Sequence, residues 1–102
     1  MPTLTFNNYT KYLSEVYQNH NGQMGLFLKL IEEVGEVAEE LYKTPNLNKE
    51  NLGKELADVI HYTLAIASMN NIDIERVIIN KDKEASIKYK RQNNLTIFIN
   101  EM

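Results

Sequence analysis

Two pairs of acidic residues share one spacing and could bind a cation together. Glu33 and Glu36 are three residues apart in IEEVGEVAEE, and Glu55 and Asp58 are three residues apart in KELAD. In a helix, residues at that spacing lie on the same face, one turn apart. Carboxylate oxygens alone suit hard divalent cations, and Mg²⁺ is the usual one where phosphates complete its coordination. The pattern indicates a carboxylate metal site, with a solvated acidic face as the alternative.

The segments that carry these acids have helical periodicity, as does almost all of the chain. Apolar residues recur at helical spacing between the turn and proline signals NHNG, KTPNLN and NNID. We predict an all-α four-helix bundle, with helices over about residues 5–20, 23–43, 48–69 and 73–91. The prediction is one domain over residues 1–102 with a core of about 5–91. The tail 92–102 contains LTIFINEM, which is β-leaning and is predicted to be a docking arm or disordered.

The apolar stripes of the second and third predicted helices decide where the acids would lie. The second helix has a core-facing stripe of Phe27, Leu30, Ile31, Val34, Val37, Ala38 and Leu41. The third has Leu52, Leu56, Val59, Ile60 and Ala67. At 100° per residue, each acidic pair falls at one edge of its stripe. Antiparallel packing across the KTPNLN connection would bring both pairs to one place, where a cation or a proton must relieve their repulsion.

Composition limits the classes of protein that the chain could belong to. Its 102 residues with 43% apolar and 25% charged residues are typical of one globular domain. The absence of cysteine excludes disulfides, thiolate metal sites and a cysteine nucleophile. A net charge of −3 does not favour binding to a nucleic-acid duplex. We find no membrane-length apolar run and no signal-peptide pattern, so the expected location is the cytoplasm.

The two acidic motifs together resemble those of a known enzyme family. Glu32-Glu33-Val34-Gly35-Glu36 and Glu55-Leu56-Ala57-Asp58, separated by 18 residues, resemble the E-E-x-x-E…E-x-x-D signature of MazG-like nucleotide pyrophosphohydrolases. The surrounding KLIEEVGEVAEEL and GKELADVIHYTLAIA are similar to the family as well, over about residues 23–91. The resemblance implies an all-α, Mg²⁺-dependent enzyme, with Mn²⁺ as a substitute ion. Such an enzyme splits a nucleoside triphosphate between its α and β phosphates, which limits aberrant or surplus nucleotides.

The resemblance also implies roles for individual residues. The metal ligands would be Glu33, Glu36, Glu55 and Asp58. Glu32 would orient or deprotonate the attacking water, which makes Glu32, Glu33 and Glu36 the predicted catalytic residues. The family also implies homodimers or homotetramers in which a neighbouring subunit completes each pocket.

Five further residues are candidates for binding the substrate. They are Lys29, Tyr62, Lys83, Lys90 and Arg91. Many family members have a Lys-x-x-x-Asn-x-x-Arg pattern in the last helix, whereas counting from Lys83 gives Ile87 and Lys90 at the last two positions. Lys29 could instead form an i,i+4 ion pair with Glu33. Tyr62 could line a base or ribose pocket, or lie at the edge of the core.

Two hypotheses from other classes of protein remain. One is a non-catalytic helical interaction module whose acidic face is solvated or binds a partner. The other is a carboxylate redox-metal bundle, because His61 follows Asp58 by three residues. Such bundles use two motifs of this kind, and the residue three positions before the only other histidine, His20, is a tyrosine rather than an acid. We therefore predict that His61 is a surface or subunit-interface residue.

Overall fold

The computed structural model describes residues 2–102, which form α-helices joined by short turns and loops. It has five α-helices and no strands there, which confirms the all-α prediction. One compact unit ends at Ile72, and a second comprises Asp73–Met102. None of these helices combines the length and apolar character needed to cross a bilayer. The helices are α1 Phe6–Val16, α2 Gln23–Leu41, α3 Lys49–Met69, α4 Ile74–Lys88 and α5 Leu95–Asn100.

In the first unit, the helix boundaries follow from local backbone chemistry. Thr5 caps α1 by accepting a hydrogen bond from the Asn8 backbone N–H, and the Asn8 side chain accepts from the Thr5 N–H. Helix α1 ends at Val16, so its predicted extension to residue 20 is wrong. Gly22 precedes α2 with a φ of 96°, a conformation in which a residue without Cβ is unstrained. Asn48 caps α3 through the backbone N–H of Asn51.

Helix α3 is the central element of this unit, because it packs against both α1 and α2. The Asn70 side-chain amide, just after α3, donates to Oε1 of Gln23 at the start of α2, at 2.6 Å. The end of α3 therefore meets the beginning of α2, which makes these helices antiparallel. Leu13 and Ala65 are fully buried in the first unit, and Leu26, Leu64 and Ala67 are also buried.

Much of the apolar stripe predicted to face the core of α2 is exposed instead. Ile31 is 53% exposed and Val34 is 50% exposed. Phe27 and Leu41 are also exposed, as are Leu56 and Ile60 of the stripe on α3. Helix α2 packs through the face that carries Leu26 and Glu33, both of which are buried. Of the predicted stripe on α2, Leu30 and Val37 are half-buried, whereas the remaining residues are exposed. The sequence pattern therefore found an apolar face on α2, but most of that face is not part of the core of the chain.

The second unit consists of α4 and α5. Asp73 caps the start of α4 by accepting a hydrogen bond from the backbone N–H of Arg76. Beyond the other end of the helix, the backbone N–H groups of Lys90 and Arg91 donate to the carbonyls of Ile87 and Ser86, respectively. This pair of bonds, with Lys90 at a φ of 56°, ends α4 at Lys88 rather than at the predicted residue 91.

Residues 95–100 form α5, so the β-leaning and disordered predictions for the tail are wrong, whereas the docking-arm alternative is not contradicted. Asn94 caps α5 by accepting from the Ile97 N–H, and the Leu95 N–H donates to Asp82 of α4 at 2.6 Å. These two bonds satisfy N–H groups of the first turn, which overrides the strand preference of the isoleucines.

Candidate metal-binding site

The three acids of the first motif lie together on α2. Glu32, Glu33 and Glu36 each present a carboxylate oxygen, and those oxygens all lie within 4.8 Å of one another. Glu33 is 8% exposed, Glu36 is half-buried and Glu32 is exposed. The helical spacing accounts for their shared side, and the packing of α2 on α3 accounts for the burial of Glu33.

Helix α3 brings the second motif to the same place. Carboxylate oxygens of Glu55 and Asp58 lie within 4.8 Å of each other and of an oxygen of Glu33. Glu55 is half-buried and Asp58 is exposed. Glu33 belongs to both groups of acids and is therefore the centre of the site. We call Glu32, Glu33, Glu36, Glu55 and Asp58 the carboxylate cluster.

Two oxygens in the carboxylate cluster have no partner although they are buried. They are Oε2 of Glu33 and Oε2 of Glu55, which no N–H or hydroxyl group of residues 2–102 reaches, so only a carboxyl proton or a cation can pair them. A buried carboxylate oxygen without a partner is unfavourable, because it has lost its hydration without compensation. A cation bound between these oxygens would supply the missing interaction. The donor set is all oxygen, which fits a hard divalent ion such as Mg²⁺.

The cluster also binds protons more tightly than separate glutamates would. The hydrogen bond to Glu36 and then burial raise the pKa of Glu55 to about 7. Burial and then the hydrogen bond to Glu36 raise the pKa of Glu33, whereas hydrogen bonds from Glu55 and Glu33 lower the pKa of Glu36. Without a cation, Glu36 therefore accepts hydrogen bonds from Glu33 and Glu55, whose pKa values are both raised.

Lys29 pairs with Glu32, one of the two exposed members of the cluster. Its Nζ lies 3.3 Å from Oε2 of Glu32, whereas the sequence suggested Glu33 as the partner. The hydrogen bond and charge of Glu32 raise the pKa of Lys29, so the ammonium remains charged. Lys29 thus places one positive charge at the edge of the cluster.

Glu40 does not belong to the carboxylate cluster, although it is a buried acid on the same helix. Both of its oxygens accept from Nζ of Lys43 at 3.0 Å. This i,i+3 ion pair gives Glu40 the partner that Glu33 lacks.

His61 is half-buried rather than exposed at the surface, and its predicted alternative place at a subunit interface stays a prediction. It is half-buried between α1 and α3, with Nδ1 3.1 Å from the Tyr9 hydroxyl and Nε2 2.7 Å from the Tyr17 hydroxyl. Both ring nitrogens already have partners, which disfavours His61 as a ligand of a redox metal. The sequence analysis did not single out Tyr9 and Tyr17, because their contacts with His61 join parts of the chain that are far apart in sequence.

The other predicted substrate-binding residues lie in different parts of the chain. Tyr62 is half-buried, and its ring meets that of His61 edge-on at 5.0 Å between centroids. Lys83 is exposed on α4, and Lys90 and Arg91 are exposed beyond its end. These three belong to the Asp73–Met102 unit, whereas the cluster belongs to the first unit. The structure thus brings together the five predicted acids and Lys29, and the roles of Tyr62 and the three C-terminal basic residues stay predictions.

The antiparallel helices and the all-oxygen carboxylate cluster define an all-α protein suited to binding a hard cation. A model of the MazG nucleotide pyrophosphohydrolase domain matches residues 22–91, and the chain belongs to that family. The matched region includes all five acids of the carboxylate cluster. No curated protein matches the chain.

Proposed function

We propose that this protein hydrolyses nucleoside or deoxynucleoside triphosphates between the α and β phosphates. The products would be a nucleoside monophosphate and pyrophosphate. Membership of the MazG family supports a pyrophosphohydrolase. The observation that carries the proposal is the pair of buried, partnerless oxygens on Glu33 and Glu55, inside the matched region. When these carboxyls are ionised, the Mg²⁺ that accompanies a polyphosphate substrate would supply the partner that the two oxygens lack.

In this proposal Glu33, Glu36, Glu55 and Asp58 hold Mg²⁺, or Mn²⁺ as a substitute. The ion would neutralise charge on the phosphate chain and lower the pKa of a bound water. The all-oxygen donor set and the elevated proton affinity of Glu33 and Glu55 support this assignment.

The remaining residues would bind and orient the reactants. In the reaction, the water oxygen forms a bond to the α phosphorus, the bond to the α–β bridging oxygen breaks, and pyrophosphate leaves. Glu32 would orient the water or take its proton, held in place by the ion pair with Lys29. Lys29 could also contact a phosphate, and Tyr62 could line the base or ribose pocket. Lys83, Lys90 and Arg91 are the other proposed phosphate contacts.

The test is a panel of ribo- and deoxynucleoside triphosphates incubated with Mg²⁺, with products identified as well as counted. We expect monophosphate and pyrophosphate in equal amounts from at least one nucleotide, and no reaction in excess chelator. Release of diphosphate and orthophosphate would contradict the proposed bond cleavage. No hydrolysis across the panel, together with no thermal stabilisation by Mg²⁺ and nucleotide, would favour the helical interaction module.

We also propose that two copies of the chain pair through α2, as part of a bundle shared between subunits. Exposed apolar side chains follow one another along α2: Met24, Phe27, Leu28, Ile31, Val34, Ala38 and Leu41, with Tyr42 directly after its end. This spacing makes a continuous stripe along the helix, which suits packing against an identical helix about a two-fold axis. Gly35 lies in the same stripe, and a Cβ there would meet open space within the chain. A second copy could therefore approach closely at Gly35.

Replacing Val34 by aspartate should convert the proposed dimer to a monomer, because a charge would be buried in an apolar interface. The matched control is Asn51→Asp, which adds the same charge at an exposed position of α3. Light scattering after size-exclusion chromatography measures the masses, and circular dichroism checks that both variants remain helical. A monomeric wild-type chain, or a dimeric Val34→Asp variant, would contradict this interface.

The proposed role is housekeeping of the nucleotide pool, and the cytoplasm is the location that this role requires.

A further inference from the structure

His61 of α3 is held at both of its ring nitrogens by residues of α1. Its Nδ1 lies 3.1 Å from the Tyr9 hydroxyl, and its Nε2 lies 2.7 Å from the Tyr17 hydroxyl. A tyrosine hydroxyl can donate or accept a hydrogen bond, so both contacts form whichever nitrogen carries the imidazole hydrogen. The ring cannot turn about its Cβ–Cγ bond without breaking these contacts. We call Tyr9, Tyr17 and His61 the imidazole clamp.

The ring of His61 also contacts Tyr62, the next residue of α3. The two rings meet edge-on, with their centroids 5.0 Å apart and their planes at 81°. Aromatic pairs favour this geometry at centroid distances of about 4.5–7 Å. Consecutive side chains of a helix do not ordinarily face each other, so adjacency in sequence does not explain the contact. It depends on the orientation of the His61 ring, which the imidazole clamp sets.

Tyr62 lies at the edge of the carboxylate cluster. It follows Asp58 by four residues within α3, and side chains at that spacing are neighbours, with about 5–6 Å between their Cβ atoms. The hydrogen bond and charge of Glu32 raise the pKa of Lys29, and Tyr62 adds to that effect, which agrees with its place at this edge. Tyr62 is half-buried, so part of it remains open to a ligand.

We propose that His61 is a positioning residue for substrate binding: the imidazole clamp fixes the Tyr62 ring beside Asp58, where the ring packs against the base or ribose of the nucleotide. The proposal deepens the proposed function, because it rests on Tyr62 as a substrate contact. A ring that is already fixed loses little side-chain freedom when the ligand binds, which strengthens binding. Helix α1, which carries none of the clustered acids, thereby takes part in recognising the substrate.

NMR spectra of the ligand-free protein give the first test. Nuclear Overhauser effects between ring hydrogens of His61 and Tyr62 report their edge-on contact. We expect these effects in the wild type and their loss in the double variant Tyr9→Phe/Tyr17→Phe, which removes only the two clamping hydroxyls. The single variant Tyr17→Phe should show a partial loss. The matched control is Tyr12→Phe, which removes a hydroxyl at an exposed position of α1 and should change nothing.

Two outcomes of these spectra would overturn the proposal. One is the absence of the effects from the wild type. The other is effects of equal strength in the wild type and in both clamp variants, because the contact would then not depend on the clamp. Circular dichroism checks that each variant is folded, and the single variant decides the matter if the double variant is not.

A pair of ligands separates recognition of the base or ribose from binding of the phosphates. One is the α,β-methylene analogue of each nucleoside triphosphate in the panel, whose bridging carbon is not hydrolysed. The other is inorganic triphosphate, which has neither base nor ribose. Equilibrium dialysis with Mg²⁺ measures both affinities. Tyr62→Leu should weaken analogue binding by about fivefold or more, as loss of a base–aromatic stacking contact does.

The clamp variants should weaken analogue binding as well, and none of these variants should change the affinity for inorganic triphosphate. Equal weakening of both ligands would overturn the proposal and leave a structural contact only. Unchanged analogue binding in the clamp variants would overturn it too. If the wild type binds no analogue more tightly than inorganic triphosphate, Tyr62 does not contact the base or ribose, and the proposal fails.

These outcomes are distinct from those of the hydrolysis panel. If no nucleotide is hydrolysed but the clamp variants weaken analogue binding selectively, the proposed hydrolysis fails and the positioning role of His61 stands. If nucleotides are hydrolysed but Tyr62→Leu binds the analogues as tightly as the wild type does, the proposed hydrolysis stands and the positioning role fails.

Discussion

Glu55→Gln should stabilise the metal-free protein above pH 7 and reduce Mg²⁺-dependent hydrolysis by about 100-fold or more. In the metal-free site Glu55 tends to hold a proton, because its pKa is raised to about 7 by Glu36 and by burial. The glutamine amide is neutral at every pH and can donate to Glu36 as the protonated carboxyl does. The variant therefore keeps the hydrogen bond and removes the unfavourable ionised form.

The same substitution removes a proposed metal ligand, which explains the opposite sign of its effect on activity. Loss of outer-shell partners alone costs about 10–100-fold in metal affinity or activity, and Glu55 is proposed to contact the ion itself. Melting temperatures with and without Mg²⁺, together with pyrophosphate release, measure both effects.

The matched control is Glu39→Gln, which removes the same charge at an exposed position of α2 outside the cluster. It should leave hydrolysis unchanged. Full activity of Glu55→Gln would remove Glu55 from the site, and a metal-free variant destabilised above pH 7 would contradict the raised pKa of the wild-type residue.

The metal-free protein should lose stability as pH rises from 4.5 to about 7, the ordinary and the raised pKa of Glu55. In that range the folded state holds a proton that the unfolded state has released. Stability falls with pH wherever the folded state binds more protons. The raised pKa of Glu33 acts in the same direction. The lowered pKa of Glu36 has the opposite effect on stability, and it acts at and below pH 4.5. In that range the unfolded state binds a proton at Glu36 more readily than the folded state does, so stability falls as the pH falls.

Mg²⁺ should reverse this trend, because it binds the ionised carboxylates of the folded protein and competes with the proton. Its stabilising effect should be small near pH 5 and should grow towards pH 7, the raised pKa of Glu55. Melting temperature measured across this range, with Mg²⁺ and with chelator, tests both trends. Glu55→Gln is the control, since its curve in chelator should be flatter than that of the wild type. A wild-type curve in chelator as flat as that of the variant would contradict the raised pKa of Glu55.

The sequence by itself determined the helices and the identity of the clustered acids. Periodic apolar residues with turn signals between them fixed the four long helices to within a few residues, because these signals are local. Equal spacing in the two acidic motifs placed Glu33 and Glu36 on one face, and Glu55 and Asp58 on another. The order of the motifs also identified the family that the match to residues 22–91 shows.

Only the tertiary structure decided which face of α2 is buried. The helix has apolar residues around much of its circumference, and the sequence pattern could not tell a face that meets α3 from one left exposed. It therefore assigned Ile31 and Val34 to the core, although both are half-exposed. The tail was misjudged for a related reason: Asn94 and Asp82 satisfy the first turn of α5, and Asp82 is distant in sequence.

Tertiary packing also decided the environment of His61 and the protonation of the cluster. The contacts of His61 with Tyr9 and Tyr17 span 52 and 44 residues, beyond any local pattern. The pKa of Glu55 depends on a hydrogen bond that it donates to Glu36 of another helix and on burial between helices. The types and spacing of residues set which groups are available for chemistry. Their proton affinity, partners and exposure depend on long-range contacts, which exist only once the helices have packed.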